Sequence, residues 1–116
     1  MHSRTSYSKG LLAEFIARMY LRLHGFSILS NRYITGRNTN RAEIDIIARR
    51  RNLIIFVEVK SHKTTQSAWD AITNTQSARL RRAAETFLSH KKWYGDARFD
   101  VILVNGFHIN WIKNAI

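Results

Sequence analysis

The 116-residue chain carries 19 Lys and Arg residues against 8 Asp and Glu residues, a formal charge of +11. Its length suits one domain, and the absence of cysteine excludes disulfides and thiolate zinc sites. The five His residues lack metal-ligand spacing, and no secretion signal or long apolar run is present, so we expect a cytoplasmic protein without a membrane segment. The charge favours a polyanionic partner, most simply nucleic acid; acidic membranes and acidic proteins are the alternatives.

The N-terminal third predicts a helix followed by a strand. Residues 1–8 are polar and we expect them to be frayed, which leaves residues 9–116 as a single domain. Apolar residues then recur at helical spacing up to Gly25, a residue type that commonly follows a helix. Glu14 is the only acid in this helix, and it either pairs with Arg18 on the surface or reaches a site as an additional carboxylate. The predicted buried stripe consists of Leu12, Ile16, Met19, Tyr20 and Leu23.

A first strand is predicted from Phe26 to Ile34, with a polar loop from Thr35 to Asn40 after it. Arg37 lies in this loop and Arg41 directly follows it. These two arginines are placed to guide a phosphate backbone, although an ordinary solvated loop is equally consistent with the pattern.

The most informative stretch is a predicted β-hairpin with acids set into apolar strands. The strands run over Ala42–Ala48 and Leu53–Lys60, and strong β-formers dominate both. If the loop has two residues, Asp45 lies opposite Glu58 and Glu43 lies opposite Lys60. A loop of two or four residues keeps these polar groups on one face, whereas three would separate them unless a bulge intervenes.

Carboxylates that face each other between Ile, Phe and Val side chains are destabilised by repulsion and by partial desolvation. Lys60 supplies one compensating charge, and a hard divalent cation would supply the rest. Two carboxylates, a metal and a lysine are the groups that phosphodiester hydrolysis needs. The alternative is an exposed hairpin face with a Glu43–Lys60 pair and two solvated acids.

The C-terminal half predicts a second long helix, from Thr75 to Lys91, and two further strands. Gln76 lies one turn before the first core residue, so it either bonds the helix end or faces a site. Arg79 and Arg82 lie off the apolar stripe, where they contact phosphates or simply face solvent. The strands are predicted over 98–104 and 107–112 with an Asn105–Gly106 turn. The order α-β-β-β-α-β plus a final strand predicts a mixed sheet flanked by helices.

The ordered set of residues resembles the YraN family of predicted endonucleases. This family belongs to the restriction-endonuclease-like superfamily and is distantly similar to archaeal Holliday-junction resolvases. The resemblance extends from Gly10 to Ala115. The residues that carry it are Glu43-Ile44-Asp45, Phe56-Val57-Glu58-Val59-Lys60, Gly10 with Glu14, Arg98-Phe99-Asp100-Val101, and Trp111-Ile112-Lys113 with Ala115.

The resemblance implies a core of α-β-β-β-α-β form and a metal-dependent endonuclease. Mg²⁺ or Mn²⁺ would bind to Asp45 and Glu58, with the Val59 carbonyl as a further ligand. Lys60 would be the catalytic lysine and Glu14 an additional carboxylate on the metal side. Two positions depart from the family pattern: His62 stands where an Arg is usual, and Gln76 where a Lys is common.

The function that we expect is hydrolysis of DNA, in branched or single-stranded form, by a homodimer if the substrate is a junction. His62, Lys63 and the basic loops and helix would hold the backbone, and Gln76 would hold a water or a phosphate. A nucleic-acid-binding module that has lost turnover is the main alternative. A third possibility is an adaptor for an acidic protein, which predicts no salt-sensitive DNA binding.

Overall fold

The computed structural model describes residues 2–36, 38, 41–61 and 74–115. Within these ranges one sheet has the order β1-β2-β3-β4-β5, in which β3 and β4 run parallel and the other neighbours antiparallel. This confirms the predicted mixed sheet with flanking helices and the predicted element order. The elements are α1 (His2–Leu23), β1 (Ser27–Thr35), β2 (Ala42–Arg50), β3 (Leu53–Lys60), α2 (Asn74–Lys91), β4 (Asp96–Asn105) and β5 (His108–Ile112).

The two helices cover opposite faces of the sheet. Ala13, Ala17 and Leu21 of α1 pack against one set of strand residues, which includes Ile46 and Ile55. A separate cluster joins α2 to the other face and contains Leu80, Ala83, Ala84, Ile44, Ile54 and Phe56. Successive residues of β3 point to opposite faces of the sheet, and a helix covers each face. Residues 54–57 of β3 are therefore buried, which explains the continuous apolar sequence of this strand.

The buried face of α1 differs from the predicted one. Ala13, Ala17 and Leu21 are buried, whereas Leu12 and Met19 of the predicted stripe are exposed. Small alanine side chains let the helix backbone approach the sheet closely. Because α1 also carries apolar residues on its outer side, hydrophobic periodicity alone predicted the wrong buried face. The helix begins at His2. The fraying expected of residues 1–8 stays a prediction.

Boundaries elsewhere fall within a few residues of the predicted ones. The predicted apolar stripe of α2 is confirmed, since Leu80, Ala83 and Ala84 are buried. The last hairpin turns one residue later than predicted: Asn105 still pairs with His108, and Gly106 with φ 60° opens the loop. Glycine adopts this left-handed conformation without a steric penalty, which explains the shift.

Asp100 fixes the C-terminal strand to the centre of the sheet. Its side chain is fully buried and accepts two hydrogen bonds of 2.8 Å from the Arg98 guanidinium. The Trp111 indole N–H and the Asn114 backbone N–H donate to the same carboxylate at 2.8 and 3.0 Å. A buried carboxylate with this many donors holds β4, β5 and the following turn together.

We expect Asp100→Ala to lower the free energy of unfolding by about 3 kcal/mol, because it leaves the partly buried Arg98 charge and two N–H donors without their acceptor. Urea denaturation measures this loss. The exposed Asp96, on the same strand, provides the control, and Asp96→Ala should change the free energy by no more than about 0.5 kcal/mol. Equal effects of the two substitutions would contradict the assignment.

Candidate active site

The site forms where β2 and β3 stop pairing. The ladder runs from Arg50 opposite Leu53 to Ile46 opposite Val57, so the loop consists of Arg51 and Asn52. Two residues is one of the loop lengths that the sequence left open. Beyond the ladder, Asp45 Oδ2 accepts a hydrogen bond of 2.8 Å from the Val59 N–H. A side chain thus takes the place of a backbone acceptor, and this leaves the Asp45 carboxyl in the gap between the two strands.

The alternation of β2 breaks at the same residue. Ile44 packs in the α2 cluster, whereas Ile46 packs in the α1 cluster, so Asp45 lies at a change of face. On the neighbouring strand, Asn31 pairs with Ile46 and Tyr33 with Ile44, which places Arg32 across from Asp45. Arg32 has φ 55°, a left-handed conformation that is costly for a residue with a side chain. Both strands therefore bend at the site.

Asp45 and Glu58 form a pair of neighbouring carboxyl groups, each of which affects the pKa of the other. Burial, and then the Asp45 charge, raise the pKa of Glu58 to about 8, although Lys60 opposes the shift. Burial also raises the pKa of Asp45, against the opposing effect of the Val59 N–H. Near neutral pH the pair therefore retains a proton, because two buried carboxylates in contact repel each other.

Lys60 and Val59 complete the group predicted from the hairpin. Lys60 Nζ lies 3.6 Å from Glu58 Oε1, and both side chains are largely buried. Lys60 thus pairs with Glu58 rather than making the surface pair with Glu43 that the alternative interpretation required. The structure brings Asp45, Glu58, Val59 and Lys60 together at one point of the sheet.

Glu14 approaches this group from α1 and contributes to the rise in the pKa of Asp45. Its two carboxylate oxygens accept hydrogen bonds of 3.2 and 3.3 Å from the Arg32 guanidinium. The predicted surface partner, Arg18, instead lies over the Phe15 ring. Sequence reasoning gave Arg32 no role, and no sequence signal could have supplied one, since Gly and Asn are the residues that typically indicate a left-handed backbone.

The remaining predicted site residues lie apart from the carboxyl pair or outside the description. Arg41 is exposed directly before β2, and Arg79 and Arg82 are exposed on α2. Gln76 lies in the first turn of α2, and its side chain is not among those described. The positions Arg37, His62 and Lys63 lie outside the described residues.

The donors at this point are all oxygens: the carboxyl groups of Asp45 and Glu58 and the backbone carbonyl of Val59. Hard cations such as Mg²⁺ prefer this set and retain several waters when few protein ligands are present. A cation would also relieve the repulsion that now keeps a proton on the pair. No group of three or more Asp, Glu, His or Cys side chains in the described part of the chain is arranged to hold a metal.

Comparison with known proteins identifies the family. The model of "Uncharacterised protein family UPF0102" matches residues 13–104. The chain belongs to the UPF0102 family. A UPF0102 protein of Paramagnetospirillum magneticum is 40% identical over 98 residues, covering 83% of this chain and 76% of the relative. Another, of Shewanella frigidimarina, is 39% identical over 112 residues, covering 93% of this chain and 98% of the relative.

The family resemblance drawn from the hairpin residues is confirmed, since UPF0102 and YraN denote one family. The matched range includes Glu14, Asp45, Glu58 and Lys60, the side chains of this UPF0102 protein that the fold brings together. Neither helix in the described ranges is long and apolar enough to cross a membrane.

The carboxyl pair predicts a specific dependence of stability on pH. Glu58 has an unfolded pKa near 4.5 and a folded pKa of about 8, so the folded state binds the extra proton between these values. The free energy of unfolding should therefore fall as pH rises from about 5 to 8, by a few kcal/mol in the absence of divalent cations. Urea denaturation in EDTA at several pH values measures this slope.

The Glu58→Gln variant cannot titrate, and it should lose most of that slope. The exposed Glu85 on α2 offers a matched control, because Glu85→Gln removes an acid of the same type outside the site. If Glu58→Gln retains the wild-type slope, Glu58 does not hold the extra proton in the folded state.

Proposed function

We propose that this UPF0102 protein is a metal-dependent endonuclease that hydrolyses DNA phosphodiester bonds. The observation that carries the proposal is the Asp45–Glu58 carboxyl pair, which is buried beside Lys60 in a chain with a net charge of +11. Burial of two repelling acids costs stability, and an otherwise basic nucleic-acid binder gains nothing from acids that face phosphates. Cation binding at the site accounts for both features.

Asp45, Glu58 and the Val59 carbonyl are the groups that would hold Mg²⁺ or Mn²⁺. When bound, the cation would supply Lewis-acid polarisation of the phosphate and a lower pKa for water. The hydrogen bond from the Val59 N–H to Asp45 fixes the orientation of the Asp45 carboxyl group. This ligand is therefore in position before a cation binds.

Lys60 is the second catalytic group in this proposal. Its ammonium lies 3.6 Å from Glu58 and is largely buried, which keeps it at the carboxyl pair. From that position it orients the attacking water, assists its deprotonation and stabilises negative charge that develops on the phosphate. Glu14 acts from the α1 side through water, held by its two bonds to Arg32.

The substrate in this proposal is DNA with a branched or single-stranded element, and a junction substrate would require a dimer. Exposed Arg41, Arg79 and Arg82 contact the backbone and do not read base sequence. Such contacts make binding sensitive to salt, whereas the cleavage step depends on the cation.

One observation favours a second function, a DNA-binding module of the same fold without turnover. Glu14 is held by Arg32, and the described residues provide only two carboxyl groups at the proposed metal position. A binding module predicts that removal of divalent cations leaves DNA affinity unchanged and that Asp45→Asn leaves it equal or higher.

The test is cleavage of labelled duplex, single-stranded, flap and four-way-junction DNA with Mg²⁺ or Mn²⁺. Asp45→Asn retains an oxygen that can accept the Val59 N–H but loses the charge, so cleavage should fall by at least about 100-fold while DNA binding persists. EDTA should abolish wild-type cleavage. Asp96→Asn removes an exposed acid at the far end of the sheet, so this variant should cleave at least as fast as the wild type.

Absence of cleavage with every substrate, combined with salt-sensitive binding in all three proteins, would replace the nuclease proposal by the binding module. Absence of salt-sensitive DNA binding would contradict both and favour an acidic protein partner.

A further inference from the structure

A second charged region lies at the opposite end of the hairpin from the carboxyl pair. The β2–β3 turn meets the loop between α2 and β4 there, because the N–H of Asp96, the first residue of β4, donates to the Asn52 carbonyl at 2.7 Å and Gly95 packs closely against Asn52. Five exposed cations gather in this region against the single exposed acid Asp96. We call it the basic end; its cations are Arg49, Arg50, Arg51, Lys91 and Lys92.

Two of these guanidinium groups are held in place rather than extended into solvent. The Arg49 guanidinium lies 4.5 Å from the centre of the Trp93 ring and donates through Nε to the Arg51 carbonyl at 2.9 Å. The Arg50 guanidinium lies 4.6 Å from the centre of the Phe26 ring and donates through Nη1 to the His24 carbonyl at 2.8 Å. Stacking and a hydrogen bond to a backbone carbonyl fix both groups. They flank the hairpin tip from its two sides, since Trp93 packs on the α2 face of the sheet and Phe26 on the α1 face.

Guanidinium groups fixed in this way are suited to bind phosphate. Each retains further N–H groups beyond the one used for its backbone bond. Because Arg49 and Arg50 are already ordered, less side-chain entropy is lost when they bind a ligand than for a mobile lysine. Interaction with the helix dipole at the end of α2 accounts for Lys91 and Lys92, but not for three arginines in succession at a hairpin turn.

The spacing relates the basic end to the proposed active site. Five residues of β3 separate Leu53 from Glu58, which corresponds to about 17 Å along the strand. Successive base pairs advance about 3.4 Å along the duplex axis, so this distance corresponds to about five base steps for a duplex that lies along β3. The carboxyl pair repels a polyanion when no cation is bound, whereas the basic end attracts it.

We propose that the basic end binds the sugar–phosphate backbone of a duplex DNA arm, about five base steps from the phosphate at the carboxyl pair. This inference rests on the proposed function for its substrate. It also extends that function, because it requires duplex DNA on one side of the cleaved bond and assigns the contact to residues remote from the reacting groups.

Two of the cations allow a test that folding defects do not obscure. Arg51 and Lys92 have φ values of 56° and 53°, and Lys92 is the left-handed residue that ends α2, where the Trp93 N–H donates to the Leu88 carbonyl. Glycine suits such positions, so the variant Arg51→Gly/Lys92→Gly should be at least as stable as the wild type while it lacks two charges.

The experiment measures DNA affinity in EDTA over a range of salt concentrations, using a hairpin with a stem of about 12 base pairs. Each phosphate contact contributes about 0.9 to the slope of log affinity against log salt, so the double variant should lose about 1.8. Its affinity at about 0.1 M salt should fall roughly 60-fold.

Two control variants show whether the effect depends on the position of the lost charge and whether it arises from the glycine backbone. Arg18→Gln removes a charge from α1, away from the basic end, and should change the slope by less than about 0.5. Asn114→Gly places glycine at φ 55° without a change of charge and should bind as the wild type does. Thermal denaturation confirms that every variant is folded.

Wild-type affinity and slope in the double variant would overturn the inference and leave the nuclease proposal intact. If the double variant has a reduced slope but the wild type cleaves no substrate, the DNA contact at the basic end is supported and the nuclease proposal is contradicted. Binding to vesicles that contain anionic lipid is measured alongside binding to DNA. If the wild type does not bind DNA, or if the double variant binds DNA as the wild type does but binds the vesicles more weakly, the inference is overturned in favour of another polyanion.

Discussion

The hydrogen bond from the Val59 N–H to the Asp45 carboxyl is the contact on which the site depends. It takes up a backbone donor that the β2–β3 ladder leaves beyond Val57, so the strands can separate without an unsatisfied group. The separation leaves a gap between the strands that holds two carboxyl groups. In a regular ladder, these side chains would instead point toward the helices that cover the sheet. Core packing on both faces of β3 stabilises the fold and offsets the free-energy cost of this irregular region.

Charge is distributed unevenly along the hairpin. Four of the eight acids of the chain, Glu14, Glu43, Asp45 and Glu58, lie at the end where β2 and β3 part, while arginines crowd the turn at the other end. Like charges within each group repel each other, and a ligand of opposite sign would reduce that repulsion. A cation at one end and a polyanion across both would relieve these two costs together.

The sequence predicted features that follow from local rules. The polar stretch between two β-rich runs predicted the hairpin, but it left the loop length open. The two-residue loop, one of the lengths considered, is the one that brings Asp45 to Glu58. The buried face of α1 could not be predicted in this way, because Ala13 and Ala17 pack through their small size and not through hydrophobicity. Arg32 could not be predicted either, since its left-handed backbone follows from the bend shared by two strands and not from its residue type.

The most direct test of the central claim is the titration of the Glu58 carboxyl carbon by NMR, with and without Mg²⁺. The account predicts a midpoint near pH 8 in EDTA, because burial and the Asp45 charge favour the protonated form. Addition of Mg²⁺ should lower that midpoint, since the cation competes with the shared proton. A midpoint near the ordinary glutamate value in EDTA, unchanged by Mg²⁺, would contradict a buried carboxyl pair that binds a divalent cation.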